Sequence, residues 1–244
     1  RLFFANVSPL DCAETEDDCL RGAVSSLWQF AQNRKPGTAK IRVFNPDRKK
    51  DGWSCGHTVV EIVNDDMPFL VDSITAEMSH RNLTVHLIIH PVIPTKRSAA
   101  GKLSHVADNG GAGDTAAESV MHLQITEQTD SGMLKELAKS CEKVLGDVRA
   151  AVEDWRPMRV RIADVIAELD STLATASVPK EEIDESAAFL RWLDDNNFTF
   201  LGYRDYECKG GTKKQTLSII PRSGLGLLRD NKVTVIEGIA DGAV

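Results

Sequence analysis

The stretch of sequence that decides the fold reads Val59-Val60-Glu61-Ile62-Val63-Asn64-Asp65-Asp66-Met67-Pro68-Phe69-Leu70-Val71-Asp72-Ser73. Its apolar first third predicts a strand. Pro68 predicts the first position of a helix, where the missing N–H would have no intrahelical partner. Asp65 and Asp66 complement the exposed amides and the positive end of that helix. A turn of this kind either holds a small polar ligand or is only a well-capped helix start, and its shape alone favours the second reading.

Length, charge and cysteine content exclude several classes of protein. The chain has 244 residues, 42% of them hydrophobic, which is enough for one large domain or two modest ones. A formal net charge of −7 argues against a nucleic-acid surface. The five cysteines form no Cys-x-x-Cys pair, so neither a disulfide framework nor a zinc site is indicated. We expect a cytoplasmic segment of a longer protein, with no membrane partner.

Apolar periodicity predicts helices and strands along the whole chain. Strands are expected at 39–44, 57–63, 83–90 and 118–126, with a flexible connection over 98–117. One helix is expected over 14–33, and another follows the turn, with an apolar stripe of Met67, Leu70, Val71, Ile74 and Met78. Further on, helices are expected over 134–152, beyond Pro157 and from Pro179, followed by strand candidates at 198–207 and 215–220.

The order of these elements predicts the fold class. Residues 57–145 read strand, helix, strand, strand, helix, which indicates an α+β, ferredoxin-like antiparallel sheet with its helices on one face. We therefore expect a helical lead-in over 1–38, one module over 39–150, a helical connector over 151–196, and the incomplete start of a second module over 197–244.

Histidines mark one face of this expected sheet. His86 and His90 alternate with apolar residues on one strand, and His122 with Gln124 is expected on the same face of its partner strand. We interpret the four as an interface that another module covers. The metal alternative combines His86 or His90 with His122 and Glu61. His86 and His90 alone cannot share one ion, because four strand residues separate their α-carbons by about 13 Å.

The sequence shows no arrangement that indicates catalysis. Ser73 and Cys55 have no evident histidine partner in the sequence. Gly224-Leu225-Gly226 lacks the third glycine of a dinucleotide fingerprint, so we expect no NAD site in this segment. We therefore predict neither catalytic residues nor a metal site.

The element order is typical of ACT domains, small regulatory modules that bind amino acids near the first strand-to-helix turn. Their usual turn signature is Asp-x-Pro-Gly, and Asp66-Met67-Pro68-Phe69 resembles it with Phe in place of Gly. The bulky Phe69 restricts backbone access by the carboxylate of a ligand. The resemblance implies an effector site made of Asn64, Asp65, Asp66, Met67, Pro68 and Phe69.

A second resemblance covers most of the chain and rests on five segments in order. They are the turn at 64–73, Val85-His86-Leu87-Ile88-Ile89-His90-Pro91, Glu118-Ser119-Val120-Met121-His122, Val152-Glu153-Asp154-Trp155-Arg156-Pro157-Met158, and Phe198-Thr199-Phe200-Leu201-Gly202-Tyr203-Arg204. Together they resemble the N-terminal region of the large bacterial NAD-specific glutamate dehydrogenases. That resemblance implies several ACT-like modules, homo-oligomeric assembly, and a later region that converts glutamate to 2-oxoglutarate with NAD.

Two functions follow from these resemblances. The first is a non-catalytic regulatory and assembly segment that contacts other modules of the same chain and oligomer partners, with a possible small amino-acid effector at the turn. The second is a purely structural oligomerisation module that binds no small ligand, which Phe69 in the turn favours.

Overall fold

A computed structural model describes residues 2–4, 7, 17–107, 115–172, 178–211 and 214–233. They fall into two compact units, which divide between Gly146 and Asp147. Within the described residues, no helix is both long enough and apolar enough to cross a bilayer.

The first unit is built on an antiparallel sheet of six strands. Its strands are β1 (Lys40–Phe44), β2 (Thr58–Asp65), β3 (Val85–Ile89), β4 (Val92–Arg97), β5 (Leu103–Val106) and β6 (Ala116–Ile125). The order is β1-β2-β6-β4-β5, and β3 also pairs with β6. The strand beside β2 at the edge is β1, which precedes the turn in sequence and occupies the place of the fourth ferredoxin-like strand. The predicted ACT-like α+β sheet is confirmed.

The strand predicted over 83–90 continues beyond its expected end. Both β3 and β4 pair with β6, β3 from Ile125 to His122 and β4 from Ser119 to Ala116, so they form one line interrupted at His90 and Pro91. β5 then folds back on β4 as a hairpin. The expectation of a flexible connection from 98 is therefore wrong for β5, which lies inside it. Residues 108–114 of that connection lie outside the described part of the chain.

Helices cover both faces of the sheet. Helix α1 (Asp17–Ala31) buries Leu27 with Val63 and Val120, and Cys19 with Val59, on one face. By alternation along the strands, the opposite face carries Val60, Ile62, Met121, Leu123 and Ile125, all at most 1% exposed. Helices α2 (Leu70–His80) and α3 (Ser131–Glu153) bury stripes of their own and are joined by a hydrogen bond from Ser140 to Glu77. The lead-in helix thus covers the face that lies opposite the two ACT-like helices.

The second unit combines two further helices with short strands. It contains α4 (Trp155–Thr172), α5 (Lys180–Trp192), β7 (Gly202–Tyr203), β8 (Tyr206–Gly211), β9 (Lys214–Ile219) and β10 (Leu225–Gly226). β8 pairs with β9 and β7 pairs with β10, in both cases antiparallel. The buried Arg204 donates hydrogen bonds to the carbonyl groups of Leu228 and Asp230, which fix the segment after β10.

Candidate functional site

The turn between β2 and α2 differs in detail from the sequence prediction. The helix begins at Leu70 rather than at Pro68, and Phe69 is its N-cap residue with φ 71° and ψ 2°. This is the left-handed region, which glycine adopts without steric cost. Phe69 therefore holds the conformation that the usual glycine of the ACT signature would supply. Phe69 is 48% exposed.

The side chain of the N-cap residue does not accept hydrogen bonds from the amides at the start of α2. A Phe side chain cannot accept a hydrogen bond, and the structure shows no side-chain cap at this position. The first intrahelical bond there runs from Ser73 N to Phe69 O, at 3.0 Å. The amides of Leu70, Val71 and Asp72 precede this bond and belong to the positive end of the helix. The N-terminus of α2 is thus suited to an anionic group.

Asp65 pairs with a buried arginine and does not cap the helix. Its Oδ1 accepts a hydrogen bond from Arg34 at 2.7 Å, and its Oδ2 accepts one from Gly37 N at 3.0 Å. The expectation that Asp65 serves the helix start is therefore wrong. Neighbouring Asn64 is buried on β2, opposite Ser119 of β6.

The partner of Asp65 belongs to a buried ion-pair network, defined here as Asp65, Arg34, Glu118 and Arg97. Glu118 Oε1 accepts bonds from an Arg34 amino group at 2.6 Å and from Arg97 Nε at 2.5 Å. Its Oε2 accepts a bond from the other end of the Arg97 guanidinium at 2.8 Å. The side chains of Arg34, Glu118 and Arg97 are each at most 4% exposed. The network joins the turn to β4 and β6 beneath it.

The arginines determine the ionisation of this network. Burial alone would raise the pKa of Glu118, but the hydrogen bonds and charges of Arg97 and Arg34 outweigh it and hold that pKa below its ordinary value. Burial would likewise lower the pKa of Arg34, and Asp65 and Glu118 reverse the direction and raise it. The shifts of the Arg34 and Glu118 pKa values therefore both favour the charged forms of this pair at neutral pH.

Asp66 is the exposed carboxylate of the turn, and it lies beside His90. Its backbone N–H donates to Ala117 O at 3.0 Å, which fixes the turn against β6. Its negative charge opposes the effect of burial, which lowers the pKa of His90. The His90 ring bonds through Nε2 to Ser119 Oγ at 2.7 Å. Next to Asp66, Met67 is half-buried and Pro68 is exposed.

The four interface candidates do not share one face of the sheet. His122 is fully buried beneath α1, with Nδ1 3.3 Å from Glu61 Oε1, and Gln124 donates to Cys19 of α1. His86 is exposed, and its ring lies 4.6 Å from that of His57. His90 bonds to Ser119, one residue out of alternation with His122 and Gln124 on β6. The lead-in helix, rather than a separate module, covers the His122 part.

The metal alternative is not assembled by this arrangement. Glu61 is in contact with His122 and accepts a bond from Arg42 at 2.6 Å, while His90 bonds to Ser119 on the other face. Across the described ranges, no group of three His, Cys, Asp or Glu side chains is placed to hold an ion.

Arg34 and Arg97 are the site residues that sequence reasoning missed. Each stands in a short basic run, next to Lys35 and Lys96, and such runs normally lie in solvent. The bond from Arg34 to Glu118 spans 84 positions of sequence, so no local pattern reports it. The available signal was Glu118 itself, a carboxylate just before the alternating run Val120 to Ile125.

Comparison with known proteins gives a consistent result. Residues 1–141 match the family model described as the glutamate dehydrogenase ACT1 domain. The chain is 38% identical over 229 residues to the NAD-specific glutamate dehydrogenase of Halomonas elongata, and 35% identical over 228 residues to that of Pseudomonas aeruginosa. Each match covers 93% of this chain and 14% of the relative.

A more distant relative, the NAD-specific glutamate dehydrogenase of Mycobacterium tuberculosis, is 25% identical over 203 residues, which cover 83% of this chain and 12% of the relative. The chain therefore corresponds to a small part of the length of each of these enzymes. The family model matches more than half of the chain and covers the turn, the six-stranded sheet, α2 and the first part of α3. The chain belongs to the family of the glutamate dehydrogenase ACT1 domain.

Proposed function

We propose that this chain is a non-catalytic regulatory and assembly segment of an NAD-dependent glutamate dehydrogenase, and that a small amino acid binds at the turn from Asp65 to Phe69. The proposal includes the reaction of the whole enzyme, from glutamate to 2-oxoglutarate with NAD. It also includes contacts with other modules of the chain and with oligomer partners.

The observation that carries the effector proposal is the α2 N-terminus beside an exposed Asp66. The carboxylate of an amino acid accepts hydrogen bonds from the amides of Leu70, Val71 and Asp72, which Phe69 leaves without a side-chain cap. Its ammonium group pairs with the Asp66 carboxylate. The network that holds Asp65 fixes the end of β2, so the two recognition elements keep their spacing.

Binding at such a turn regulates an oligomer if the turn has a different conformation in each of the two oligomer states. An effector shifts the equilibrium only by its difference in affinity between two states. Placement at the junction of β2 and α2 makes the turn sensitive to any movement of the helix against the sheet.

The test is the response of the full-length enzyme to amino acids. Glutamate-dependent reduction of NAD is measured with each of the other common amino acids added in turn. We expect one of them to change the rate, and we expect Asp66→Asn to raise the concentration required about tenfold, the effect of losing about 1.4 kcal/mol. Asp184→Asn, on the exposed face of α5, should respond like the wild type. A response that Asp66→Asn leaves unaltered would contradict binding at the turn.

The structural alternative has its own support in Phe69. An aromatic residue that is 48% exposed is suited to burial in a protein–protein contact, where aromatic residues are enriched. In that case Phe69→Ser weakens the oligomer in sedimentation experiments, and no amino acid alters either association or activity.

A further inference from the structure

The first unit contains a pocket that the effector proposal does not use. It has a volume of about 330 Å³ and lies between α1 and the strands β4, β5 and β6. Most of its lining is apolar and includes Phe3, Val24, Leu27, Trp28 and Val106. Protein pockets that bind small molecules are concave and mainly apolar, with a few fixed polar groups, and begin near this size.

The polar wall of the pocket is made of buried side chains with a defined capacity for hydrogen bonds. Arg97 and Glu118 belong to this wall, together with Thr95. Arg97 donates hydrogen bonds to Glu118 and to the carbonyl groups of Ala31 and Gly101. Glu118 Oε2, in contrast, accepts a single bond from the described residues, that of Arg97. A carboxylate oxygen has room for a second donor.

Thr95 adds a second acceptor to the same wall. Its side chain is 5% exposed, and its hydroxyl donates a long bond of 3.5 Å to Ala116 O. The hydroxyl oxygen keeps its acceptor lone pairs, since that bond uses only its hydrogen. The wall can therefore accept hydrogen bonds from a guest, whereas Arg97 is already committed to its partners.

We propose that this pocket binds a small apolar molecule that carries one hydrogen-bond donor, such as an arylalkyl alcohol, with its donor on Glu118 or Thr95. An apolar cavity of about 150 Å³ accommodates benzene, so this larger pocket admits an aromatic ring with a short side chain. An anionic guest is disfavoured, because its carboxylate would lie against Glu118 without a free donor. The inference is independent of the effector turn, because Arg34 separates Glu118 of the pocket from Asp65 of the turn.

The experiment uses the 244-residue chain and three probes that share a phenylethyl group. They are 2-phenylethanol, which has a donor, ethylbenzene, which has none, and 3-phenylpropionate, which is an anion at neutral pH. The protein is labelled with 5-fluorotryptophan and followed by fluorine NMR. Trp28 lines the pocket, while Trp155 and Trp192 of the second unit serve as internal references.

We expect 2-phenylethanol to shift the Trp28 signal saturably and to bind several-fold more tightly than ethylbenzene, with 3-phenylpropionate the weakest. Val24→Phe fills the pocket and should abolish the shift. Val160→Phe places the same ring on an exposed position of α4 and should leave it unchanged. If Val24→Phe fails to fold, Val106→Phe fills the pocket from β5.

Two results would overturn the proposal. One is no saturable shift of Trp28 with 2-phenylethanol up to its solubility limit. The other is a shift that survives in the folded pocket-filling variant. The two proposals can fail separately. None of the three probes is an amino acid and the variants do not touch the turn, so a failure of amino-acid binding there would not affect the pocket proposal.

Discussion

Replacement of Glu118 by glutamine probes the buried network beneath the turn. The side chain is 2% exposed and accepts hydrogen bonds from both Arg34 and Arg97. Glutamine has nearly the same shape, but it carries no charge, and its NH2 group, which replaces one carboxylate oxygen, cannot accept a hydrogen bond from a guanidinium. The variant leaves two buried arginines with Asp65 as their single remaining carboxylate partner in the network.

The expected cost follows from this imbalance of charge. Removing one partner of a buried ion pair costs about 3–5 kcal/mol, since the other charge stays desolvated without compensation. A domain is stable by about 5–15 kcal/mol, so Glu118→Gln should remove a large part of the free energy of unfolding of the first unit. Glu77→Gln is the matched control. Glu77 is more exposed and pairs with Arg81 one helical turn away. It also accepts a bond from Ser140, which the amide oxygen of glutamine can still accept, so Glu77→Gln should cost less than about 1 kcal/mol.

The assay is urea denaturation combined with native-state hydrogen exchange. Exchange of the β6 amides assigns the effect to the first unit, because these amides belong to its central strand. Equal costs for Glu118→Gln and Glu77→Gln, both below about 1 kcal/mol, would refute the claim that the network is a buried and balanced cluster.

The same variant makes a prediction about pH. Because the pKa of Glu118 is lowered on folding, its contribution to stability is present above the ordinary value of 4.5 and is lost as the pH falls through the folded value. The wild type should therefore lose more stability below about pH 4.5 than Glu118→Gln, in which this position does not titrate. Identical acid dependence of the two proteins would show that folding does not lower the pKa of Glu118.

Three further predictions concern backbone conformation and the second unit. Phe69→Gly should be more stable than Phe69→Ala by about 1 kcal/mol in thermal unfolding, the reverse of the usual helix order, because only glycine relieves the left-handed φ of 71°. Gly101→Ala should lower the free energy of unfolding by more than about 2 kcal/mol, since the new Cβ would lie 2.5 Å from Arg34 O. Gly52→Ala, at a similar φ but in open space, should lower it by about 1 kcal/mol. Asp154→Asn should destabilise the second unit by about 1–3 kcal/mol in urea, because Asp154 accepts bonds from Gly226 N and Arg229, while Asp164→Asn in a surface pair should change little.

The sequence predicts those parts of the fold whose signals are local. Strands β2 and β6 and helix α2 were found because their apolar residues alternate or recur at helical spacing. β4 and β5 were missed since Pro91 and Pro94 normally end a strand. Here Pro94 remains useful to the sheet, because its carbonyl accepts from Ala107 N.

The site was less predictable, because its contacts are distant in sequence. The resemblance to ACT domains identified the turn as a candidate site, but it did not predict that Asp65 pairs with Arg34 or that the backbone of Phe69 is in the left-handed region. The assignment of the histidines failed for a different reason. Alternation shows which residues of one strand share a face. Which of them share a face with residues of the neighbouring strand depends on the pairing register, and a bulge between Val85 and Leu87 shifts that register.

The most direct test of the effector account is calorimetric titration of the 244-residue chain with each of the twenty amino acids. The account predicts that one of them binds with a Kd below about 1 mM and that Asp66→Asn weakens this binding about tenfold, while Asp184→Asn does not. If no amino acid binds with a Kd below about 1 mM, the turn is not an effector site in this chain, and the structural role suggested by the exposed Phe69 is favoured instead.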